Sequence, residues 1–377
     1  PFSMGYVLIS FLSWLILRFL VLRRLPCGRP ARTVLSCLFF LPILYYAYLQ
    51  ASCFIVLPEP SFGTAILMGA WCGTVLIAAP PASAGVLCLM RFGRKKSMRR
   101  VGAGACLIFS LFFSSVLVLC GLREGLSVPS VQEVSVNLPA GCDALDGIRM
   151  AVISDLHLGC ATPPGWLEET LRRIKEARAD IILLDGDLSD GRPEDRRSDL
   201  ARLGTLEAPF GVWAVPGNHE YYVDYAGIMA ALPDSVHVLA NSHARLRTSL
   251  GTFVLAGVTD RKARARGLPG PDIEKALSGL SGDGAIGPVL LMSHRPAGWS
   301  RNAARGVVLQ ICGHTHGGQF IWNRLFLRLI GRRYLHGLFE RNSSLLWVGS
   351  GASQWFGFPL RVGVPPEIAV LNLHAGS

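Results

Sequence analysis

The chain has 377 residues, half of them hydrophobic, with a mean hydropathy of +0.38 and a formal net charge of +11. That is too apolar for one soluble domain, and the excess lies in the first third, so a membrane part and a globular part are expected. Residues 1–123 hold 12 Lys plus Arg against 1 acidic residue, a surplus of 11, while residues 124–377 hold 25 of each, so the positive charge gives no argument for nucleic acid as a partner.

Four apolar stretches open the chain, at residues 4–22, 33–57, 62–90 and 101–122, each near or above the ~20 residues that a helix needs to cross the hydrocarbon core. Arg23, Arg24, Arg29 and Arg32 follow the first, and Arg91, Arg94, Lys95, Lys96, Arg99 and Arg100 follow the third. The loop at 58–61 has no positive residue. Positive loops stay in the cytoplasm, so the expected arrangement is a multi-pass protein of the cytoplasmic (inner) membrane with its globular part on the extracytoplasmic side. The first stretch has no basic residue before it, which argues against a cleaved signal peptide. Pro80-Pro81 interrupts the third, with a kink as the expected consequence. No Asp, Glu or His lies within the four stretches, so anchoring is preferred to an ion path, and a lipid bilayer is the first partner.

The domains read as 1–123, the four-span region; 124–147, a linker and first strand; and 148–377, the globular domain. Short β-branched runs at 131–138, 149–154, 181–184, 212–215, 253–257, 289–292, 307–311, 345–348 and 368–373 predict strands. Pro164 opens a predicted helix whose apolar face is Leu167, Leu171 and Ile174. This alternation implies an α/β fold of packed sheets with helices outside. Seven of the ten cysteines lie in the apolar third, and Cys142, Cys160 and Cys312 show no pairing pattern, so no disulfide framework is expected.

All nine histidines follow residue 150, and five polar clusters sit just past predicted strands: Asp155 and His157, Asp187, Asn218 and His219, His294, and His314 and His316. The carboxyl edge of such sheets is where ligands bind, so separate loops can converge there. Carboxylate, amide oxygen and imidazole suit borderline divalent ions: manganese first, with iron or zinc as alternatives. An Asp between two ions can bridge them, and Asp187, after Gly186, is placed for that. Two ions sharing a water would lower its pKa and produce a hydroxide poised to attack phosphorus.

Asp155-Leu156-His157, Gly186-Asp187, Gly217-Asn218-His219-Glu220, His294 and Gly313-His314-Thr315-His316 resemble the motif series of the calcineurin-like metallophosphoesterase superfamily. Gly317, Gly318 and Gln319, with Arg361 and Pro365-Pro366-Glu367, are similar to its bacterial membrane-anchored branch. The resemblance covers about residues 148–373. It implies a four-layer β-sandwich flanked by helices, here preceded by an all-α four-helix transmembrane region. It also implies that Asp155, His157 and His316 share a first ion with Asp187, and that Asp187, Asn218, His294 and His314 surround a second. His219 would contact the phosphate and protonate the leaving oxygen. Arg295, Gln319 and Arg361 are the expected substrate contacts.

The expected activity is hydrolysis of a phosphomonoester, phosphodiester or pyrophosphate bond, with a lipid-linked substrate preferred because a tether concentrates the enzyme at the bilayer. Alternatives are cleavage of a UDP-linked diacylated glucosamine, which the predicted orientation disfavours, and a phosphate-binding membrane sensor without catalysis. Trp322, Leu325, Phe326, Leu329 and Ile330, interleaved with Arg324, Arg328, Arg332 and Arg333, read either as a core-packed helix or as one that rests on lipid.

Overall fold

The computed structural model describes residues 2–51, 59–93, 95–280, 287–354 and 358–376, without the side chains of residues 2–6 and 50. It comprises two compact units, one of residues 1–124 with Phe358–Leu360 and one of Gly125–Gly357 with Arg361–Ser377.

The first unit is helical. Three of its helices are long and apolar enough to cross a membrane among the described residues: α2 (Arg29–Ala51), α3 (Phe62–Phe92) and α4 (Lys96–Gly125). Three of the four expected spans coincide with these helices. The first stretch forms α1 (Phe2–Ile16), which passes into a π turn over Leu17–Val21 and a tight turn over Leu22–Arg24. The end of the second stretch lies outside the described residues. The helix α3 continues through Pro80-Pro81, so the proline pair does not end it.

In the second unit, β1 (Ser130–Ala140), β2 (Arg149–Ile153), β3 (Ile181–Asp185), β4 (Val212–Val215) and β5 (Val236–Val238) form one sheet together with a late strand. A second sheet holds β6 (Ser242–Thr248), β7 (Gly251–Gly257), β8 (Val289–Met292), β9 (Val307–Cys312), β10 (Gly337–Arg341) and β11 (Ser344–Val348). The late strand, β12 (Glu367–Gly376), lies between β1 and β2. Alternate residues of β2 and β3 face opposite ways. Met150, Val152, Ile181 and Leu183 meet Leu290, Met292, Leu309 and Ile311 of the other sheet. Ala151, Ile153, Ile182 and Leu184 meet Leu167, Leu171 and Ile174 of the helix α5 (Trp166–Glu176). Val254, Ala256 and Leu291 cover the far side with Ala276 and Leu280. The result is the expected four-layer order of helix, sheet, sheet, helix.

This packing decides where the chemistry sits. Strands β2, β3 and β4 run parallel in one sheet, and β8 and β9 run parallel in the other. Their carboxyl ends emerge on one edge of the sandwich.

A candidate metal centre where two sheets end together

The loops leaving these strands are locked to one another by main-chain bonds. Asp155 N–H donates to the Gly186 carbonyl at 3.0 Å, His157 N–H to that of Asp187 at 3.0 Å, and Gly313 N–H to that of His294 at 3.0 Å. Asp155, His157, Asp187, His314 and His316 all hold a left-handed backbone, with φ between 42° and 66°. Such conformations are costly for residues with a Cβ and persist where the surroundings over-determine them. Here they bend each strand end sharply enough to turn its polar side chain to a common centre. Two glycines make room: a Cβ on Gly217 would stand 2.2 Å from Asp187 Oδ1, and one on Gly313 would stand 2.5 Å from Asp155 Oδ2.

Three overlapping groups result: Asp155, His157 and His316; His157, Asp187 and His219; and Asp187, His294 and His314. All but His314 are buried. His157 Nε2 faces His316 Nε2 at 3.2 Å, with Asp155 Oδ1 3.4 Å from the latter. His294 Nδ1 lies 2.7 Å from the Asp185 carbonyl, to which it donates, so that Nε2 is aimed at Asp187 Oδ2, 3.1 Å away. That buried Nε2 makes no hydrogen bond. A cation between the facing imidazole nitrogens and beside the buried nitrogen pointed at a carboxylate would satisfy all of them, so the donor set fits divalent metal. Asn218 Oδ1 accepts from Arg295 Nη2 at 2.6 Å, which places the amide oxygen on the His314 side of the site, where Arg295 Nη1 meets His314 Nε2.

The electrostatics show what neutralises these carboxylates when no ion is bound. Burial opposes a charged His157, but Asp190, Asp187 and Asp155 outweigh it and raise its pKa to about 9. His294 is likewise raised against burial, chiefly by Asp187. His314 and His316 are held well below the usual imidazole range, first by burial, then by Arg295 and His294 for the former and by His157 and Arg361 for the latter. Metal uptake must therefore displace a proton from His157, which is charged below about pH 9. Manganese affinity is expected to strengthen by up to about tenfold per pH unit as pH rises toward that value. Calorimetry in buffers of different ionisation heat would show the released proton; a buffer-independent heat would refute it.

Sequence reasoning passed over Asp190. Its Oδ1 lies 3.2 Å from His157 Nδ1 and also binds His219 Nδ1, orienting both rings so that each Nε2 faces Asp187 Oδ2 at 3.8 Å. The available signal was a second carboxylate three residues beyond Asp187, because imidazoles at metal sites need their distal nitrogen held. Glu220 also acts from behind the centre. It accepts from the N–H groups of Asp187, Leu188 and Gly217 at 2.7–3.1 Å and so fastens two loops together.

The three expected substrate contacts are placed differently from one another. Arg295 stands at the site between Asn218 and His314, with its Nε on Asp260. Gln319 is buried, and its main chain pairs with that of Val362. Arg361 is fully buried, and its guanidinium donates to the carbonyls of Ser350, Ser353 and Val364 and reaches His316 Nδ1 at 3.3 Å. With no exposed atom, Arg361 braces the His316 loop from behind; direct contact with substrate does not match that burial.

A sandwich of this layering with a His/Asp cluster at its edge defines a metallohydrolase class. The chain matches the family model of the calcineurin-like phosphoesterases over residues 148–318, and its globular part belongs to that family of phosphoric ester hydrolases. It is 34% identical to an "Uncharacterized metallophosphoesterase" of Helicobacter pylori over 257 residues, 67% of this chain and 66% of that protein. A "Transmembrane protein with metallophosphoesterase domain" of Danio rerio is 28% identical over 76% of this chain and 68% of its own. The metallophosphoesterase YkuE of Bacillus subtilis is 29% identical over 61% of this chain and 80% of its own. The chain thus spans about two thirds of the length of the first two. Its apolar helices make it a membrane protein.

Proposed function

We propose that this chain is a membrane-anchored phosphoesterase with two divalent ions, manganese first among them, that hydrolyses a phosphate ester or anhydride bond of a lipid-linked substrate on the extracytoplasmic side. The observation that carries the reading is the convergence of Asp155, His157, Asp187, His294, His314 and His316 from both sheets in overlapping clusters, with Asn218 beside them through Arg295. Bound there, a pair of divalent ions would supply an activated water as nucleophile and offset charge on the phosphoryl oxygens. The remaining work falls to this chain's own groups. His219, its Nδ1 fixed by Asp190, presents Nε2 to the centre and can hand a proton to the leaving oxygen. Arg295, steadied by Asp260, can receive an anionic substrate oxygen. The apolar helices and the transmembrane naming of the zebrafish relative support anchoring, and basic loops at Arg23–Arg32 and Arg91–Arg100 support the orientation.

The test is a screen of the purified full chain, with chelator and added manganese as controls, against phospholipids, lipid-linked sugar phosphates, nucleotide diphosphate sugars and soluble phosphodiesters. Metal-dependent turnover that favours the lipid-linked compounds is expected. Metal binding without turnover of any of them would instead make the chain a phosphate sensor.

A further inference from the structure

The helix Ile321–Leu329 follows the metal loop directly, and none of its residues is buried. Leu329 is 86% exposed, Phe326 58%, Ile330 58%, Leu325 54% and Trp322 42%. An apolar face this continuous marks an interaction surface, since scattered single residues are the rule on a soluble domain. The helix is nevertheless firmly seated at its start. Arg324 Nε donates to the Gly317 carbonyl at 2.7 Å and Asn323 Nδ2 to that of Gly318 at 2.9 Å. A Cβ on Gly317 would lie 2.7 Å from Arg324 Nη2, so the paired glycines let the helix press against the turn that follows His314 and His316. One end of the element thus touches the candidate metal centre, while its outward face is left to a partner.

We infer that this face inserts into the surface of an anionic phospholipid bilayer and so brings the metal centre to the level of the headgroups. Charge selects lipid over protein. Arg324, Arg328, Arg332 and Arg333 flank the apolar residues, and no Asp or Glu occurs between Gln319 and His336. Large apolar side chains set among arginines suit the boundary between acyl chains and anionic headgroups. The covalent link supports the same partner, because only residues 126–129 separate α4 from β1, and such a tether keeps the bilayer at high effective concentration. This inference rests on the anchored reading above and adds how a lipid-borne phosphate would reach the site. The lipid would slide from the headgroup layer along a face that already lies at that depth.

The test uses the full chain in nanodiscs containing about a third phosphatidylglycerol, the remainder being phosphatidylcholine, brominated or plain. The emission of Trp322 is obtained as wild type minus Trp322→Phe. Brominated lipid is expected to quench it by about half or more, and aqueous iodide to leave it nearly unchanged. The double variant Leu325→Glu, Leu329→Glu should reverse both results. Iodide quenching of the wild type would overturn the inference. Shielding from both quenchers would also overturn it, in favour of a protein contact such as a second copy of this chain. Lipid quenching that survives the double variant would overturn it too, since the apolar face would then not be what inserts. None of these readings depends on catalysis, so failure here is distinguishable from failure of the proposed activity.

Discussion

Replacing Asp187 with Asn is expected to remove bound metal and to lower phosphoesterase turnover by about a thousandfold or more. Asp187 belongs to two of the three ligand groups. Its Oδ1 accepts from the His219 N–H at 2.8 Å, and its Oδ2 faces His294, His157 and His219. Asn keeps the Oδ1 acceptor and tolerates the left-handed backbone at this position, so the change removes charge and leaves shape. The metal-free protein should also lose stability. Burial disfavours the Asp187 carboxylate, yet His294, His219 and His157 hold its pKa well below the usual range. Stripping one charge from such a buried cluster costs about 3–5 kcal/mol. The sign of the pH dependence follows from the lowered pKa: the contribution is complete above the ordinary Asp range and is lost as pH falls through the folded value. Wild type and variant should therefore differ most in denaturant midpoint near pH 7 in chelator and converge in acid. A variant that keeps its full metal content and turnover would refute the assignment.

The second large effect is expected at His219. His219→Ala should lower kcat by about a hundred- to ten-thousandfold on substrates that release an alkoxide, while metal content stays at the wild-type level. On a nitrophenyl ester the loss should shrink, because that leaving group departs without needing a proton. Asp190→Ala should show the same leaving-group trend through His219 and, because the carboxylate also holds His157, should weaken metal binding as well. At saturating metal, combining the two should add little beyond His219→Ala, as expected for residues that work as a unit. Equal losses on both substrate types would assign His219 to phosphate binding and remove its role as acid.

Much of the architecture was legible because burial leaves a pattern. All nine predicted strands exist, and Leu167, Leu171 and Ile174 bury the face of α5 that their spacing implies. The strands that escaped notice, β5, β6 and β10, are short or partly exposed: Val236–Val238 spans three residues, and Ser242–Thr248 has no buried residue. Their pairing is decided by neighbours already in place, which leaves little hydrophobic signal of their own. In the membrane region composition marks residues 4–22 as apolar and helical, but it carries no sign of the change in winding after Ile16 or of how α3 continues through Pro80-Pro81.

By itself the sequence determined the chemistry on offer: an order of Asp, His, Asn and Gly at strand ends whose donor types suit divalent metal, and an unbalanced charge confined to the apolar third. Only the tertiary structure decided how those donors are used. Parallel strands from two sheets end on one edge, which is why loops as far apart as Asp155 and His316 meet. The same packing couples Asp190 to two imidazoles, hides Arg361 behind His316 and leaves the helix after the metal loop uncovered. Those roles depend on distances across the fold, and a linear pattern carries residue type and spacing but no distance.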